Sequence, residues 1–558
     1  MAEIILPGTY VTVRDEGLIS AGRVVTGNIG IVGTASKGPI DNVQILGSFS
    51  EAREVFGDSD AWVDGNSNEL TLIRALEQVY NNGGRTVYAV RTARSTATKA
   101  GYQLKDSGNA DLTKLDVLTP GTWGNEIKVK VSDADANAFV IDDLAGDAPS
   151  LNRSNVVAGS GLNSITVKQV STGQTLRYEI VYDVPPDNNL PQVSITTATG
   201  VLAFTTLAGF EPVALDRISA RYEVPAANSK KLELRYGPIQ EVFTVADASH
   251  AAQQVNENSS LVSAAKAQET AFYNQLPANT NGEKLFGTGL DGHTAGSNGE
   301  DASANDYKTS LALLEKDIIN LVFLAGQDAA NAEMVANLAG HINTTTQIKR
   351  ERIGLIGSNG TTDVNAIAGH TLNSDRLVFV APGIKVTNKV VLTGAYLAAG
   401  VAGLLSSLQV QASPTNKVVN VPSLSVDFSS SQLEKLVLNR VLAVEKREGF
   451  RVVKGITTAT NSAWHQITTR RIVDFAIYGV RSGANPYIGK LNNERVRAAM
   501  KATLDAFLTR MVDDEALISY ELDVSATRAQ QIAGEAIVTM TIRPTFSIDF
   551  IKVTMYLG

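Results

Sequence analysis

The chain of 558 residues contains no cysteine. This excludes a disulfide framework, a thiolate zinc site and a cysteine nucleophile, and it fits a reducing compartment. A basic excess is also missing: 49 Lys and Arg against 57 Asp and Glu leave a net charge of −8. A protein that coats nucleic acid would carry the opposite balance, so no direct nucleic-acid contact is expected. The five histidines, His250, His293, His341, His370 and His465, form neither HExxH nor a close pair, so no metal site is expected. Gly27, Gly30 and Gly33 do not make GxGxxG, Gly33-Thr34-Ala35-Ser36-Lys37-Gly38 is not a phosphate loop, and no GxSxG elbow occurs. The acidic run from Asp58 to Glu69 has calcium-loop spacing. Trp62 and Val63 occupy the places that need an oxygen ligand and a turn glycine, so an ordinary acidic loop is expected there. Neither a catalytic residue nor a cofactor is expected. A triad assembled only in three dimensions would escape this reading, which leaves an α/β enzyme as an alternative.

The opening MAEIILPGTYVTV has no basic stretch followed by a long apolar run, and it is not read as a signal peptide. One interval, between Lys389 and Lys417, lacks charge and resembles a membrane span, with small residues at Gly394, Ala398 and Ala402. Thr, Ser, Gln and several Gly interrupt it. A helix that is apolar on all sides belongs in a large core, so burial and no membrane insertion are expected. With 44% apolar residues the chain can fill such cores, and its length suggests three to four units at roughly 100–200 residues each.

Residues 1–20 read as an extended arm, broken at Pro7-Gly8 and β-like at Tyr10, Val11 and Val13. Asn28 to Gly33 and Thr86 to Val90 are apolar runs typical of buried strands. Leu70 to Tyr80 is amphipathic, with Leu72, Ile73, Leu76, Val79 and Tyr80 on one face. From about residue 100 to 285 short alternating segments and turn residues dominate, such as 165–170, 176–182 and 232–236, which suggests an inserted all-β domain. After a Gly/Asn-rich linker at 281–305, apolar strands at 321–324, 353–356 and 377–380 alternate with helices. That pattern implies βαβ units and a largely parallel or mixed sheet covered on both faces. Ser431 with Glu434 reads as a capping box for a helix running through Val444. The helix after Asn492 places Val496, Met500, Phe507 and Met511 on its core face.

The C-terminus alternates twice. Val538, Met540 and Ile542 share one side, and Pro544 interrupts. Then Phe546, Ile548 and Phe550 alternate before Ile551, Val553, Met555 and Leu557 take the other parity. No hairpin signal joins these segments, so the last one needs a partner from elsewhere.

Taken in order, several segments resemble the contractile tail sheath proteins of long-tailed bacteriophages and related contractile injection systems. They are Leu6-Pro7-Gly8-Thr9-Tyr10-Val11-Thr12-Val13, Lys37-Gly38-Pro39, Phe49 to Gly57, and Asn81-Asn82-Gly83-Gly84 leading to Tyr88-Ala89-Val90-Arg91. Pro120-Gly121-Thr122-Trp123-Gly124-Asn125, Gly455-Ile456-Thr457-Thr458, Trp464 with Arg470-Arg471, Tyr487 to Asn493 and Met540 to Val553 continue the likeness. It covers about 1–130 and 285–558, and not the β-rich insertion.

The resemblance implies an α/β (α+β) core sheath domain in two parts, 21–100 and 286–535. An inserted β-rich domain lies at 101–285, an N-terminal arm at 1–20 and a C-terminal strand arm at 536–558. It implies a structural subunit, not an enzyme, forming hexameric rings stacked as a helical polymer around a tail tube. Contraction would drive the tube through the host envelope for genome ejection. The implied partners are the chain itself, the tail tube protein, and baseplate and tail terminator proteins. The implied location is the virion tail, after assembly in the host bacterial cytoplasm. In such sheaths the terminal arms cross to neighbours, which here assigns Leu6, Tyr10, Val11, Val13, Phe546, Ile548, Phe550, Val553 and Met555 to strand exchange. Arg497 and Lys501, four residues apart on a non-core helix face, are candidates to meet acidic groups on the tube. Another virion component, such as a baseplate protein, is the nearer alternative.

Overall fold

The computed structural model describes residues 26–60, 70–264, 272–289, 292–387, 390–549 and 551–555. The N-terminal arm residues Leu6, Tyr10, Val11 and Val13, most of the acidic loop after Asp58, and Phe550 lie outside the described residues. The chain divides into two compact units, one within 1–35, 40–92 and 301–558, the other within 36–39 and 93–300.

The first unit is built on an eight-stranded sheet. Its spatial order is Val43–Leu46, Val87–Arg91, Ile29–Gly33, Leu321–Leu324, Ile353–Gly357, Leu377–Ala381, Leu442–Lys446 and Phe450–Val452. The six inner strands pair in parallel, and the two edge strands pair antiparallel. Parallel strands need crossover connections that lay helices on the faces, so both sides must be apolar. The residues obey this. Ile29, Ile31, Leu321, Phe323, Val378 and Val380 face one core with helices Phe49–Phe56, Leu72–Asn81 and Gly394–Ser407. Val32, Val322, Leu324, Leu377 and Phe379 face the other, with helices Ala304–Leu313, Ala332–Gln347 and Ser430–Leu438.

The charge-free interval supplies the most buried helix. Gly394–Ser407 is buried at eleven positions, and among the described residues no helix is long and apolar enough to cross a membrane. Its glycines set the packing distance. A Cβ at Gly403 would overlap the Val79 carbonyl of helix Leu72–Asn81, and one at Gly394 would lie 2.6 Å from the Ser358 nitrogen. Asn82 closes that neighbouring helix and ties the two halves of the unit together. Its Nδ2 donates to Asn420 O at 3.1 Å, and Asn420 N donates back to its Oδ1 at 2.6 Å.

Two expectations fail at one place. The capping box is Ser429 with Gln432, whose Oε1 accepts from Ser429 N at 2.8 Å, and not Ser431 with Glu434. The helix ends at Leu438 rather than running through Val444, because Arg440 takes a left-handed φ of 64° and the chain turns. Leu442–Lys446 then forms the seventh strand of the sheet order, and a short apolar run such as Val441 to Val444 fits either state by periodicity alone.

The second unit is β-rich, with one α-helix among the described residues, Ala248–Asn258. It holds a six-stranded sheet that includes Ala138–Ala145 and Arg217–Val224, a four-stranded sheet that includes Lys128–Asp133 and Lys230–Tyr236, and a three-stranded sheet. The Pro-Gly-Thr-Trp-Gly-Asn motif is a structural tie here. Asn125 Nδ2 donates to Gly296 O at 2.8 Å, Gly296 N donates to Asn125 Oδ1 at 2.7 Å, and buried Trp123 donates its Nε1 to Thr119 O at 3.0 Å. A buried ion cluster joins the six-stranded sheet to the helix. Arg153 reaches Asp142 at 2.6 Å and Asp247 at 2.9 Å, and Asp247 caps the helix by accepting from His250 N at 2.7 Å.

Each unit buries a neutral histidine. Burial, then the neighbouring Arg153, lowers His250 to about 3; burial, then Arg352, lowers His341 to about 3. Arg352 Nη1 lies 2.9 Å from His341 Nε2 and can only donate, so that nitrogen is an acceptor. Because the folded values lie below the ordinary one, the unfolded chain binds these protons first as pH falls. The stability is complete above about pH 6.5 and is lost progressively toward pH 3, by about 2 kcal/mol per histidine at pH 5. Thermal unfolding at pH 7.5 and pH 5 should show this loss, and His341→Gln should flatten the pH dependence of the first unit; equal melting at both pH values would contradict it.

Candidate functional site

In open α/β sheets a ligand crevice lies at the carboxyl ends of the strands where the strand order reverses. Here that point lies between Ile29–Gly33 and Leu321–Leu324, and the crevice is filled. A Cβ on Gly33 would lie 2.6 Å from Ala325 Cβ, and one on Gly326 would lie 2.5 Å from the Thr71 side chain and 3.0 Å from the Tyr396 hydroxyl. Thr34 and Thr71 are bonded to each other, with Thr34 N donating to Thr71 Oγ1 at 3.2 Å and Thr71 N to Thr34 Oγ1 at 3.1 Å. Gln327 Nε2 donates to the Tyr307 hydroxyl at 3.2 Å. The place where such a fold would do chemistry is packed with side chains. Among the described residues no group of His, Cys, Asp or Glu could hold a metal ion.

The opposite, amino ends of the strands carry a different arrangement. Helix Ile467–Ala484 docks there through ion pairs. Arg376, one residue before its strand, meets Asp474 with two bonds of 2.8 and 2.9 Å. Asp474 also accepts from Arg470 at 2.8 Å, and Arg470 reaches Asp375 at 3.0 Å and stacks over Trp464 at 4.4 Å. Further along, Arg481 binds Glu351 with bonds of 2.6 and 2.7 Å. Burial alone would raise the Glu351 carboxyl, but the Arg481 hydrogen bonds, a backbone hydrogen bond and the Arg481 and Arg376 charges together hold it below its ordinary value. Arg471 donates to the carbonyls of Leu408 at 2.9 Å, Gln409 at 3.1 Å and Thr26 at 3.4 Å. Desolvation lowers this buried guanidinium to about 10, still far above neutrality, so it stays charged. The Trp464, Arg470-Arg471 motif is thus the hinge plate between helix and sheet.

The same helix packs against Glu494–Asp513, with Asn493 as its cap accepting from Val496 N. Met500, Leu504, Phe507 and Met511 are buried, and Val496 is half-buried. A Cβ at Gly479 would overlap the Phe507 ring, so glycine is what lets the two helices approach. Arg497 turns back on its own helix start, donating to Asn492 O at 3.2 Å and Oδ1 at 2.9 Å. Lys501 lies 3.8 Å from Asp523, and both are exposed.

Asp523 belongs to a hairpin the sequence reading missed. Leu517–Ser525 pairs antiparallel with Ile537–Pro544, joined through the short helix Arg528–Ala533. Tyr520, Leu522, Val538, Met540 and Ile542 pack toward the helix pair, while Glu521, Asp523, Thr539 and Thr541 face out. Among the described residues this sheet has two strands only. Such a sheet is marginal in water, and both its edges offer unpaired backbone groups.

Beyond Thr545, which donates to Ala516 O at 3.1 Å, the chain forms no strand among the described residues. Phe546 is 59% exposed, Ile548 79%, Ile551 82%, Val553 78% and Met555 80%. Lone exposed apolar residues are ordinary, but five within ten positions are not. The structure therefore brings together an apolar, unpaired segment and an incomplete sheet at one end of the first unit.

Residues 300–458 match the phage tail sheath protein central domain, and residues 459–558 match the phage tail sheath C-terminal domain. A comparison with curated protein sequences finds no match. Among solved structures, a sheath tail protein of Listeria innocua is similar with a TM-score of 0.59 at 12% identity, covering 95% of each chain. One of Desulfitobacterium hafniense gives 0.56 at 13% identity, covering 96% of this chain and all of that one. The anti-feeding prophage helical sheath in its contracted state gives 0.50 at 12% identity, with 99% of each covered. At such identities the structural likeness is one of fold, and the two domain matches carry the family. Residues 300–558 are therefore made of the two phage tail sheath domains, structural parts of a tail and not enzymes, and the whole chain has the fold of tail sheath proteins.

The ion-pair plate gives a direct test. Asp474→Ala leaves Arg376 without its carboxylate and Arg470 with only Asp375. The loss should be about 3 kcal/mol, the lower range for breaking a buried pair on one side. Chemical denaturation followed by tryptophan fluorescence measures it, and a loss under about 1 kcal/mol would place these charges in effective contact with water.

Proposed function

We propose that this chain polymerises as stacked hexameric rings in a helical sheath around a tail tube, and that its contraction drives the tube through a bacterial envelope. The carrying observation is the exposed apolar segment Phe546 to Met555 beside a two-stranded hairpin with open edges. Strand addition to a neighbour's hairpin satisfies both, since backbone bonds give affinity and alternate side chains find pockets. The N-terminal arm, with Leu6, Tyr10, Val11 and Val13, is assigned the same role, and Phe550 belongs to the C-terminal arm. At ~0.5–1.5 kcal/mol net per hydrogen bond, a strand of about six residues would tether two subunits by roughly 3–5 kcal/mol. Head-to-tail contacts that do not close generate a helix. Flexible arm roots would let rigid cores rotate during contraction without dissociation.

Partners follow from this reading: the tail tube protein inside, with baseplate and tail terminator proteins at the ends, after assembly in the host cytoplasm. The second unit is assigned to the outside of the sheath, as a module that the tail architecture does not require. Deleting residues 545–558 should leave a soluble, cooperatively folding protein that forms no rods in negative-stain micrographs. Rods of normal length from the deletion would refute the arm assignment.

The tube contact is assigned to Arg497 and Lys501. A grip that must release suits exposed charges, each pair contributing only ~0.2–1 kcal/mol. Arg497→Glu with Lys501→Glu should weaken assembly on tubes severalfold while tube-free polymers still form; unchanged assembly on tubes would exclude these residues.

A further inference from the structure

Two segments of the first unit, at Thr26 and at Ser547 to Asp549, meet the same helix. Thr26, where the described chain begins, gives its carbonyl to Arg471 at 3.4 Å, and Arg471 is buried and also holds Leu408 and Gln409. At the other end, Ser547 N donates to Gln466 Oε1 at 3.3 Å, and Gln466 Nε2 donates to Asp549 Oδ2 at 3.3 Å. Lys454 Nζ lies 3.4 Å from the same Asp549 oxygen, with side-chain exposures of 25% for Lys454 and 13% for Asp549. Gln466 is the residue that opens helix Ile467–Ala484, and Arg471 lies little more than one turn further on. From Ile551 onward the side chains are exposed.

We infer that the start of helix Ile467–Ala484 holds the C-terminal arm by a releasable latch. Gln466 and Lys454 make the latch. They hold Asp549 through long, partly hydrated contacts, and they set where and in which direction residues 551–555 leave the core. Beside it, Arg471 is buried and ties Thr26 to the Leu408-Gln409 segment. The ion pairs of Arg470 and Asp474 with Arg376 lie one turn along the same helix. A pull on the C-terminal arm therefore enters the sheet at this helix. This inference rests on the arm reading above but names residues that the reading does not require.

The test separates the two. In the soluble full chain, Asp549→Lys should speed amide exchange at Ser547 about tenfold, a loss of about 1.4 kcal/mol of local protection, and Lys454→Asp should do the same. The double variant Lys454→Asp with Asp549→Lys should restore slow exchange, with melting temperatures unchanged throughout. In rod assembly, each single variant should lower the sedimenting fraction several-fold and the double should recover it. Unchanged exchange at Ser547, or no recovery in the double variant, would overturn the latch. Normal rods from Asp549→Lys, alongside none from a chain ending at residue 549, would overturn its part in assembly and leave the arm reading intact. Normal rods from that shortened chain would instead defeat the arm reading itself.

Discussion

The first unit depends on how one helix is fastened to one end of a sheet. Ile467–Ala484 carries Arg470, Arg471, Asp474 and Arg481, and these bind Asp375, Arg376, Glu351 and backbone carbonyls near the amino ends of buried strands. Apolar packing would have allowed the helix to slide or roll. Charges taken out of water tolerate few alternatives, because any shift leaves one of them buried and unpaired. The helix pair, the hairpin and the C-terminal segment after Thr545 take their positions from this fastening.

The sheet is the stiff layer of the first unit. Six parallel strands buried on both faces are close-packed to the point where Gly394 and Gly403 admit no side chain. Where the strand order reverses, Thr34, Thr71 and Tyr396 meet, together with the Gln327–Tyr307 bond. These side chains add contacts across the layer.

At its C-terminal end the chain is unfinished as a single molecule. Leu517–Ser525 and Ile537–Pro544 make a sheet too small to close its own edges, and the segment after Thr545 exposes apolar residues at alternate positions. Among the described residues neither the edges nor the apolar segment is paired within the chain. The polar outer face of the hairpin, with Glu521, Asp523, Thr539 and Thr541, limits non-specific sticking while the edges stay available.

Much of this was legible in the residues. Apolar runs at 29–33, 321–324, 353–356 and 377–380, alternating with amphipathic helices, read as strands covered on both faces, and the tail alternation marks a segment needing a partner. Burial of the charge-free helix followed from its interrupting polar residues. The hairpin strand escaped, although Tyr520, Leu522 and Val524 alternate with Glu521, Asp523 and Ser525, because its partner follows after a helix rather than a tight turn. The end of the helix at Leu438 hung on one left-handed residue, Arg440, which no pattern announces. Sequence by itself determined the layers, the buried faces and the apolar tail, since these depend on local periodicity and composition. Only the tertiary structure decided which charges meet, such as Arg376 with Asp474 98 positions away, and that Thr26 and Ser547 meet one helix. Those pairings depend on distances across the fold, and no local pattern encodes them.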